Sequence, residues 1–396
     1  MSAEPVLIAG GGIGGLSAAI ALARRGIAAQ VLEAEPAFSE SGAGVQIGPN
    51  GTHILRSWGL GEALEAKAAR PAGIWIRDGI SGSTLAKIPL GVEAESRYGA
   101  PYYVIERRAL HRILLDEASR RPEIALATDF RVTDFAKDRG GVRAVSADGQ
   151  ERQGAALIGA DGVHSRVRRR MFGAIPNHSG RNAWRATADS ETSPLADNGF
   201  VNLWLGPGAH LVHYACGPRG PLNAVAITSG PPASPGWGSP GDERLLLQNF
   251  DGWAPEPLSI LAGFANWMTW PLLAMAPLPC LARGLAVLLG DAAHPLMPFL
   301  ASGAVMAIED AAALAAAMAY AGNEPSAAFR AYETQRLGRV SRVQKDSARM
   351  GDIYHMSGAL RLARNLTLAA TPGHRLLARN DWLYRYRVEE LKMEAD

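Results

Sequence analysis

The stretch VLIAGGGIGGLSAAIALARRG, residues 6–26, decides the fold of this chain. Its first four residues, Val6–Ala9, form a short apolar run that predicts a buried β-strand. The glycines that follow predict a tight turn. Leu16–Arg25 has the alanine-rich composition of a closely packed helix, which Gly26 ends. With a second strand expected at Ala29–Glu33, these elements predict a βαβ unit with a parallel sheet, and therefore an α/β protein.

The turn contains the pattern Gly-x-Gly-x-x-Gly between the strand and the helix. The first glycine permits the turn, the second lets a pyrophosphate approach the backbone, and the third lets the helix pack on the strand. The helix N-terminus offers free amides and partial positive charge to phosphates. A carboxylate at the end of the second strand is placed to accept hydrogen bonds from ribose hydroxyls. This context predicts a site for FAD or NAD rather than a ligand-free turn, with contacts from Gly10, Gly12, Gly14, Gly15, Glu33 and Ala34.

Two later segments favour FAD over NAD. LIGADGVHSR (157–166) is a strand ending in Asp–Gly, and LLGDAAHP (288–295) is a strand ending in Gly–Asp. A nicotinamide dehydrogenase does not need a second glycine–aspartate strand end so far along the chain. FAD does, because it carries a ribityl chain beyond its pyrophosphate. Asp161 and Asp291 are therefore expected cofactor contacts, and Asp291 suits the ribityl hydroxyls.

The bulk composition excludes several classes of protein. The chain has 396 residues and a formal net charge of +2, so neither nucleic acid nor an anionic membrane is expected as a partner. The two cysteines, Cys216 and Cys280, lack the spacing of a metal site or a disulfide framework. No metal is expected, and a cytoplasmic location fits. The apolar N-terminal run is broken by glycines and is interpreted as fold rather than as a targeting signal.

Changes of composition along the chain predict three regions. A discontinuous dinucleotide-binding domain is assigned to residues 1–70, 101–175 and 280–345. A β-rich domain with denser tryptophan, proline and glycine is assigned to residues 71–100 and 176–279. A helical C-terminal region is assigned to residues 346–396. Alternating strands are expected at Phe200–Leu205, Leu211–Ala215 and Leu222–Thr228.

At its motifs the sequence resembles the FAD-dependent aromatic hydroxylases of the p-hydroxybenzoate hydroxylase class. It is most similar to the branch of salicylate hydroxylase, 3-hydroxybenzoate 6-hydroxylase and 6-hydroxynicotinate 3-monooxygenase. The resemblance extends over almost the whole chain. It implies an α/β fold with a Rossmann-like FAD-binding domain (GR2-type), an inserted β-sheet substrate domain and a C-terminal helical segment. It is carried by the glycine turn and by GAGVQIGPNG (42–51), ERRALHRIL (106–114), GADGVHSRVR (159–168), AWR (183–185), GAHLVHY (208–214), GDAAHP (290–295) and DWLYRY (381–386).

The resemblance implies further cofactor contacts. Arg107 matches the FAD-contacting arginine of the branch, and Gln46 lies in its second FAD loop, where it faces cofactor or substrate. In the turn PFLASG (298–303), Gly303 is expected to let the flavin ring approach the backbone. The following helix would aim its positive end at the flavin edge where negative charge develops. The remaining implied contacts are Val132, Pro298, Ala304 and Val305.

A substrate side is expected on the strand His210–Tyr214. Alternation places His210, Val212 and Tyr214 on one face and His213 on the other. Hydroxylation is faster on a phenolate than on a phenol, so a base or relay is needed near the ring hydroxyl, and a histidine suits that role. By resemblance, His210 and Tyr214 match substrate-pocket residues of the hydroxynicotinate and hydroxybenzoate enzymes, so they are the expected catalytic residues, and ordinary packed strand residues are the alternative. The expected substrate contacts are Gln46, His210, Tyr214, Pro295, Phe299 and Ser302.

Other positions carry competing interpretations. His294 is expected to be a structural hydrogen-bonding residue rather than a catalytic one. Arg185 fits a substrate carboxylate or an ion pair at a sheet edge equally well, and Trp267 and Trp270 are expected to pack. Ser302 departs from the Gly/Ala-Gln-Gly turn common in relatives. This departure predicts an altered substrate or altered coupling of NAD(P)H oxidation to hydroxylation.

The resemblance also implies a reaction cycle. NADH or NADPH reduces FAD, and the reduced flavin binds O2 to form a C4a-hydroperoxide. One oxygen atom then enters a small phenolic, hydroxybenzoate-like or hydroxypyridine-like ring, and the other leaves as water. The expected partners are this aromatic substrate, O2 and NAD(P)H, and the basic C-terminal helices are compatible with a homodimer. The competing functions are another flavin enzyme on this scaffold (epoxidase, halogenase or reductase) and a flavin-binding regulatory protein without turnover.

Overall fold

The computed structural model describes residues 4–39, 44–138, 140–189, 199–217, 220–233, 238–322 and 324–388. Within these residues the strands are β1 (Val6–Ala9), β2 (Ala29–Leu32), β3 (Gly44–Ile47), β4 (Gly73–Asp78), β5 (Thr84–Pro89), β6 (Tyr103–Glu106), β7 (Ile124–Ala127), β8 (Val132–Asp138), β9 (Gly141–Ser146), β10 (Glu151–Gly154), β11 (Ala156–Gly159), β12 (Asn177–Ala188), β13 (Phe200–Gly206), β14 (Ala209–Ala215), β15 (Leu222–Ser229), β16 (Ser239–Pro240), β17 (Met268–Ala274), β18 (Ala282–Arg283) and β19 (Ala286–Leu288).

The helices are α1 (Ile13–Ala23), α2 (Pro49–Ser57), α3 (Gly61–Glu65), α4 (Gly91–Tyr98), α5 (Arg107–Ser119), α6 (Arg166–Phe172), α7 (Glu243–Gln248), α8 (Pro255–Ala262), α9 (Gly303–Tyr320), α10 (Pro325–Tyr354), α11 (Gly358–Ala370), α12 (Gly373–Ala378) and α13 (Asp381–Tyr384). Two short 3₁₀ turns, Gly290–Ala292 and Pro298–Leu300, lie before α9.

A six-stranded sheet carries the glycine turn. Its strands lie in the order β18-β19-β11-β1-β2-β7, and β1 pairs in parallel with β11 on one side and β2 on the other. Every residue of β1 and β11 is buried, which explains their uninterrupted apolar sequences. The predicted βαβ unit is confirmed, with β2 ending at Leu32, one residue earlier than predicted.

Helix α1 begins three residues before its predicted start and ends two before its predicted end. It contains Ile13, Gly14 and Gly15 of the glycine pattern, so the turn itself is shorter than the sequence suggested. All of its residues except Gly14 are buried. The small side chains allow α1 to pack closely against α9, the other alanine-rich helix.

An eight-stranded sheet forms the second layer of the molecule, in the order β16-β17-β12-β15-β14-β13-β4-β5. The three strands predicted between residues 200 and 228 are confirmed as β13, β14 and β15. Strands β4 and β5 join the same sheet through a parallel pairing of β4 with β13. Residues 71–104, where the sequence predicts short strands, also contain helix α4. Strands dominate residues 176–275 as expected, and the short helices α7 and α8 lie among them.

The C-terminal part of the chain is helical, as predicted. Helix α9 is long and apolar enough to span a membrane by length and composition, but 72% of it is buried inside the fold, so it packs as a core helix. Helix α10 runs across the proposed domain boundary between residues 345 and 346. The predicted α/β class, with an additional β-sheet and a C-terminal helical segment, is confirmed.

Candidate active site

A cleft of about 1190 Å3 opens at the carboxyl ends of β1, β11 and β19. The glycine turn forms part of its wall, and Gly10 has φ +102°, in the left-handed region that favours glycine. A Cβ added to Gly15 would lie 1.9 Å from the carbonyl oxygen of Gly10, so this turn can close only on glycine. The Nε2 atom of His111, on α5, lies 2.8 Å from the Gly11 carbonyl oxygen, and this hydrogen bond holds the turn in place.

Glu33, just after β2, is held by two backbone amides at the edge of the cleft. Its Oε2 accepts a hydrogen bond from the Gly11 N–H at 2.7 Å, and its Oε1 accepts one from the Glu35 N–H at 2.9 Å. Both oxygens keep further lone pairs. The carboxylate is therefore oriented towards the cleft with capacity to accept hydroxyl hydrogen bonds.

The segments 159–168 and 288–295 both border the same cleft. The Asp161 carboxylate accepts hydrogen bonds from Ser165 Oγ and from the backbone N–H groups of Arg166 and Val167, so it caps the start of α6. Burial raises its pKa, and these hydrogen bonds oppose that rise. Buried Arg168 donates to the carbonyl oxygens of Asp291 and Ala292, so hydrogen bonds connect the segment 159–168 with the segment 288–295.

The turn that precedes α9 separates this cleft from a second cavity. Pro298–Leu300 forms a 3₁₀ turn, Ala301 has φ +48°, and the Ser302 hydroxyl donates to the Leu300 carbonyl oxygen at 2.7 Å. A Cβ on Gly303 would meet nothing within 4 Å, and Gly303 borders the cleft. The conformation that favours glycine is thus at Ala301, whereas Gly303 leaves open space beside the N-terminus of α9.

The second cavity has a volume of about 260 Å3. Its walls come from the inner face of the eight-stranded sheet, from Pro298–Ala301 and from the C-terminal helices. Most of the side chains around it are apolar: Ile74, Ile76, Ile88, Val201, Leu203, Leu205, Val212, Phe299, Leu300, Met350, Ile353, Leu368, Leu376 and Leu383. The polar groups on its wall are few, as in a small-molecule site that selects by shape and a few hydrogen bonds.

His210 is the buried histidine of this cavity. Its ring lies 5.4 Å from that of Phe299 and 5.3 Å from that of Tyr354, centroid to centroid, and its Nδ1 lies 2.9 Å from Nε2 of His355. Burial, with His355 and Arg181 nearby, lowers its pKa well below the usual value. The imidazole is therefore neutral at neutral pH.

Tyr214 lies one layer behind the cavity rather than on its wall. Its phenol ring packs against Gly44, two residues before Gln46 on β3, and Gln46 itself borders the cavity and accepts a hydrogen bond from the Tyr102 hydroxyl at 2.5 Å. Strand β3 carries Gln46 and pairs with β6, which begins one residue after Tyr102. Tyr102 therefore fixes the Gln46 amide, and Tyr214 packs beside the strand that carries it.

The structure brings most of the residues predicted from the sequence to one of the two spaces. Those at the cleft are Gly10, Gly12, Gly14, Glu33, Ala34, Arg107, Val132, Asp161, Asp291, Gly303 and Ala304. Those at the cavity are Gln46, His210, Pro298 and Phe299. Their individual contacts with ligands stay predictions.

Five predicted contact residues border neither space: Gly15, Tyr214, Pro295, Ser302 and Val305. Val305 is 2% exposed and packs against Gly51 of α2. The Pro295 carbonyl oxygen accepts a hydrogen bond from Gln344 at 3.3 Å. Their roles are structural: Val305 and Pro295 contact neighbouring helices, Ser302 closes its own turn, and Gly15 gives room to the Gly10 carbonyl oxygen.

His294 belongs to a buried charge cluster under the turn. Its Nε2 lies 2.6 Å from Oδ2 of Asp310, and Asp310 and Glu309 both pair with Arg336 at 2.6–2.7 Å. Burial opposes ionisation of Asp310, but His294 and Arg336 hold its pKa below the usual value. This geometry agrees with the structural interpretation of His294. Arg185 lies over the ring of Trp270 at 5.4 Å, and Trp267 is buried in the core of the β-sheet layer.

Sequence reasoning missed four residues of this site: Tyr102, His111, His355 and Arg379. His355 lies 145 residues from His210, and no spacing pattern links positions so far apart. Arg379, just after α12, is an exposed cation on the cavity wall. Only the position of His111 within the quoted segment 106–114 offered a signal in the sequence.

The residues of the cleft fit FAD. A glycine turn without room for side chains, a carboxylate oriented by two amides and a second aspartate beside a helix N-terminus border one continuous space. These are the donors and acceptors that a pyrophosphate, a ribose and a ribityl chain require. The fold and the cleft together define a flavoprotein.

The chain belongs to the FAD binding domain family, which matches residues 3–230 and 274–347. A 3-hydroxybenzoate 6-hydroxylase of Polaromonas naphthalenivorans is 36% identical over 386 residues, 97% of this chain and 96% of that protein. A 6-hydroxynicotinate 3-monooxygenase of Bordetella bronchiseptica is 36% identical over 355 residues, 88% of this chain and 91% of that protein. The structure of a single-residue variant of Klebsiella pneumoniae HpxO, complexed with FAD, has a TM-score of 0.85 at 27% identity and covers 96% of this chain and 98% of its own. The resemblance inferred from the motifs is thereby confirmed, and the protein is a flavin-dependent monooxygenase with FAD as cofactor.

Proposed function

We propose that this monooxygenase hydroxylates a single aromatic ring that carries a hydroxyl group and a carboxylate. The observation that carries the proposal is the apolar cavity of about 260 Å3, whose wall Pro298–Ala301 leads within two residues to Gly303 at the cofactor cleft. The cavity is small for a ligand site, so it suits one ring rather than a fused system. The two relatives are named for 3-hydroxybenzoate and 6-hydroxynicotinate, which are rings of this kind.

The cavity offers separate groups for the two substituents. Arg379 is an exposed cation on its wall, and no described carboxylate lies within ion-pair distance of the guanidinium. A substrate carboxylate would pair with it. Neutral His210 would accept the proton of the ring hydroxyl, which raises the electron density of the ring before hydroxylation. Tyr214 would act as a positioning residue through its packing beside the strand that carries Gln46.

FAD, when bound, takes a hydride from NADH or NADPH and supplies one electrophilic oxygen atom from O2. Gly10, Gly12 and Gly14 would hold its pyrophosphate at the start of α1. Glu33 would bind the ribose hydroxyls and Asp291 the ribityl hydroxyls. The N-terminus of α9, at Gly303, would stabilise negative charge on the flavin ring through its partial positive charge.

The proposal includes a cytoplasmic location and a homodimer. Cys216 and Cys280 are free thiols, as a reducing compartment allows. Light scattering of the purified, FAD-loaded protein measures the oligomeric state directly, and a single monomeric species would overturn the homodimer.

The function is tested with FAD-loaded protein, NADH or NADPH, and isotopically labelled O2. The panel contains 3-hydroxybenzoate, salicylate, 6-hydroxynicotinate and, as a matched ring without a carboxylate, phenol. We expect one labelled oxygen atom in the product of at least one carboxylated ring and weaker turnover of phenol. Hydrogen peroxide as the only product from every ring would overturn the proposal. An epoxidised, halogenated or reduced product would instead support the alternative chemistry on the same scaffold.

A further inference from the structure

Three polar side chains connect the cavity with the protein surface. His210, 3% exposed, borders the cavity, and its Nδ1 lies 2.9 Å from Nε2 of His355. The Nδ1 of His355 lies 3.2 Å from the hydroxyl oxygen of Ser229, an exposed residue at the end of β15. Solvent exposure therefore increases from buried His210, through half-buried His355, to exposed Ser229.

The arrangement is fixed by elements that pack against one another. His355 follows α10 directly, and its carbonyl oxygen accepts a hydrogen bond from the N–H of Gly208, in the loop before β14. Its ring lies 5.2 Å from that of His210 and 6.0 Å from that of Phe299. The second imidazole is therefore held by backbone and by ring contacts, not by a flexible loop.

The hydrogen bonds leave one ring nitrogen for a ligand. Both nitrogens of His355 are engaged, by His210 and by Ser229. On His210, Nδ1 is engaged, whereas Nε2 has no hydrogen-bond partner among the described residues. Because His210 borders the cavity, its Nε2 is the nitrogen available to a hydroxyl group bound there.

We propose that His210, His355 and Ser229 form a relay that carries the proton of the substrate hydroxyl from the cavity to solvent. This inference rests on the proposed function and assigns new roles to His355 and Ser229. The hydroxyl O–H bond breaks as Nε2 of His210 accepts the proton, and the Nδ1–H proton of His210 moves to Nε2 of His355. The Nδ1–H proton of His355 then moves to Ser229 Oγ, whose own proton passes to water.

The transfer is balanced without an oxidant or reductant. One proton leaves the substrate, one proton enters solvent, and the ring oxygen keeps the electron pair as phenolate. Both imidazoles end neutral, with the proton on Nε2 instead of Nδ1. Transfer of a proton in the reverse direction, when the hydroxylated product regains its ring proton, restores the original tautomers.

The charged groups around His355 favour its neutral form, so the ring can pass a proton on without remaining protonated. Arg181 of β12 pairs with Asp352 of α10 at 2.6 Å, and Arg364 of α11 donates to the carbonyl oxygen of Tyr354, the residue before His355, at 2.7 Å. Burial first, and then Arg181 and Arg364, lower the pKa of His355 to about 3, against the opposing effect of Asp352. Near neutral pH the ring therefore carries no net charge at either end of the transfer.

The test measures proton release when a phenol binds, which needs no turnover. FAD-loaded protein is mixed in weakly buffered solution with each panel phenol, and a pH indicator follows the released proton. The wild type is expected to release protons as the phenol binds, because the Nε2–H of His210 then donates a hydrogen bond to the phenolate. His355→Gln should slow this release about 100-fold while changing the Kd of the phenol less than threefold. The control is His374→Gln, an exposed histidine on α12, which should leave both quantities unchanged.

The pH profile separates a relay from a merely structural role. A loss in His355→Gln should shrink as the pH approaches the pKa of the free phenol, about 10, because the phenolate then forms in solution. Equal release rates in wild type and variant, or an equal loss at every pH, would overturn the relay. Binding without proton release in the wild type, or no binding by any phenol, would also overturn it. Intact proton release without hydroxylated product would overturn the proposed function alone.

Discussion

One residue between the cleft and the cavity, Ala301, has a strained backbone conformation. Ala301 adopts φ +48° although it carries a side chain, and it borders the cavity between Leu300 and Ser302. Such a conformation costs an alanine about 1–2 kcal/mol. The sequence drew attention to Gly303 because glycine marks turns, but no composition rule locates a left-handed alanine. The hydrogen bond from Ser302 to Leu300 closes the turn and stabilises this strained residue.

Replacing Ala301 with glycine should therefore stabilise the protein. We expect Ala301→Gly to raise the free energy of unfolding by up to about 1 kcal/mol, because relief of the left-handed strain exceeds the added entropy of the unfolded chain. Urea unfolding at a fixed FAD concentration measures the change. Ala312→Gly, in the interior of α9, is the matched control and should destabilise by about 1 kcal/mol. A loss of stability in both variants would contradict the strain argument.

Arg379 makes a second prediction at this scale. Arg379→Gln should raise the KM for the carboxylated substrate about 3- to 10-fold, since an exposed ion pair contributes only modestly to binding. The kcat should change little because the guanidinium does not take part in proton transfer. Steady-state kinetics with a carboxylated ring and with phenol provide the comparison. An equal rise of KM for phenol would show that Arg379 shapes the cavity and does not bind a carboxylate.

At the scale of elements, α9 and α10 are joined by buried charges. Glu309 and Asp310 of α9 are 0% exposed and pair with Arg336 of α10, and Asn50 of α2 donates to Glu309 at 2.6 Å. Helix α9 itself could be predicted from its alanine-rich sequence and from Gly322 and Pro325 beyond its end. The role of Glu309 and Asp310 could not be predicted, because their partner Arg336 lies 26 residues along the chain from Asp310. Pairings of this kind depend on packing that local sequence does not record.

Removing one of the two arginines that pair with these carboxylates should destabilise the whole cofactor region. We expect Arg336→Met to lower the free energy of unfolding by about 3–5 kcal/mol, because buried Asp310 and Glu309 each lose an ion pair. In the described part of the chain they keep only His294 and Arg339, respectively, as charged partners. Arg342→Met on the same helix is the control. Arg342 is 57% exposed and pairs with Asp346 at 3.4 Å, so its loss should cost less than about 1 kcal/mol. Urea unfolding of both variants gives the comparison, and similar small losses would show that the buried carboxylates find other partners.

At the scale of the whole molecule, the cofactor cleft and the cavity are lined by differently distributed parts of the sequence. The cofactor cleft is lined by three contiguous motifs after β1, β11 and β19, so sequence reasoning predicted most of its residues. The cavity takes single residues from β4, β5, β13, β14 and the helices after α9. Its shape depends on how the two layers and the C-terminal helices meet. The substrate side could therefore be predicted only at His210, Gln46 and the turn before α9.

Buried histidines should make the stability of the molecule depend on pH. Burial lowers the pKa of His213 and of His355 to about 3, and that of His210 is also well below its usual value. Above pH 6.5 these groups are neutral in both states, so they contribute no slope. Below pH 6.5 the unfolded chain binds protons that the folded chain does not, and stability must fall as the pH falls.

We therefore expect the free energy of unfolding to be nearly constant from pH 8 to 7 and to decrease from about pH 6.5 to 4.5. Each of these histidines adds a slope of up to about 1.4 kcal/mol per pH unit. Carboxylates such as Asp78, with a pKa lowered to about 2, begin to contribute below about pH 5, so the upper part of this range reports mainly on the histidines. His213→Gln retains an acceptor for the Trp204 indole N–H, 3.3 Å away, and should make the decrease shallower. His374→Gln should leave the slope unchanged, because that histidine is exposed. Urea unfolding at fixed FAD across this range measures the slopes. A stability that stays constant down to pH 4.5 would mean that the folded chain takes up these protons as readily as the unfolded one.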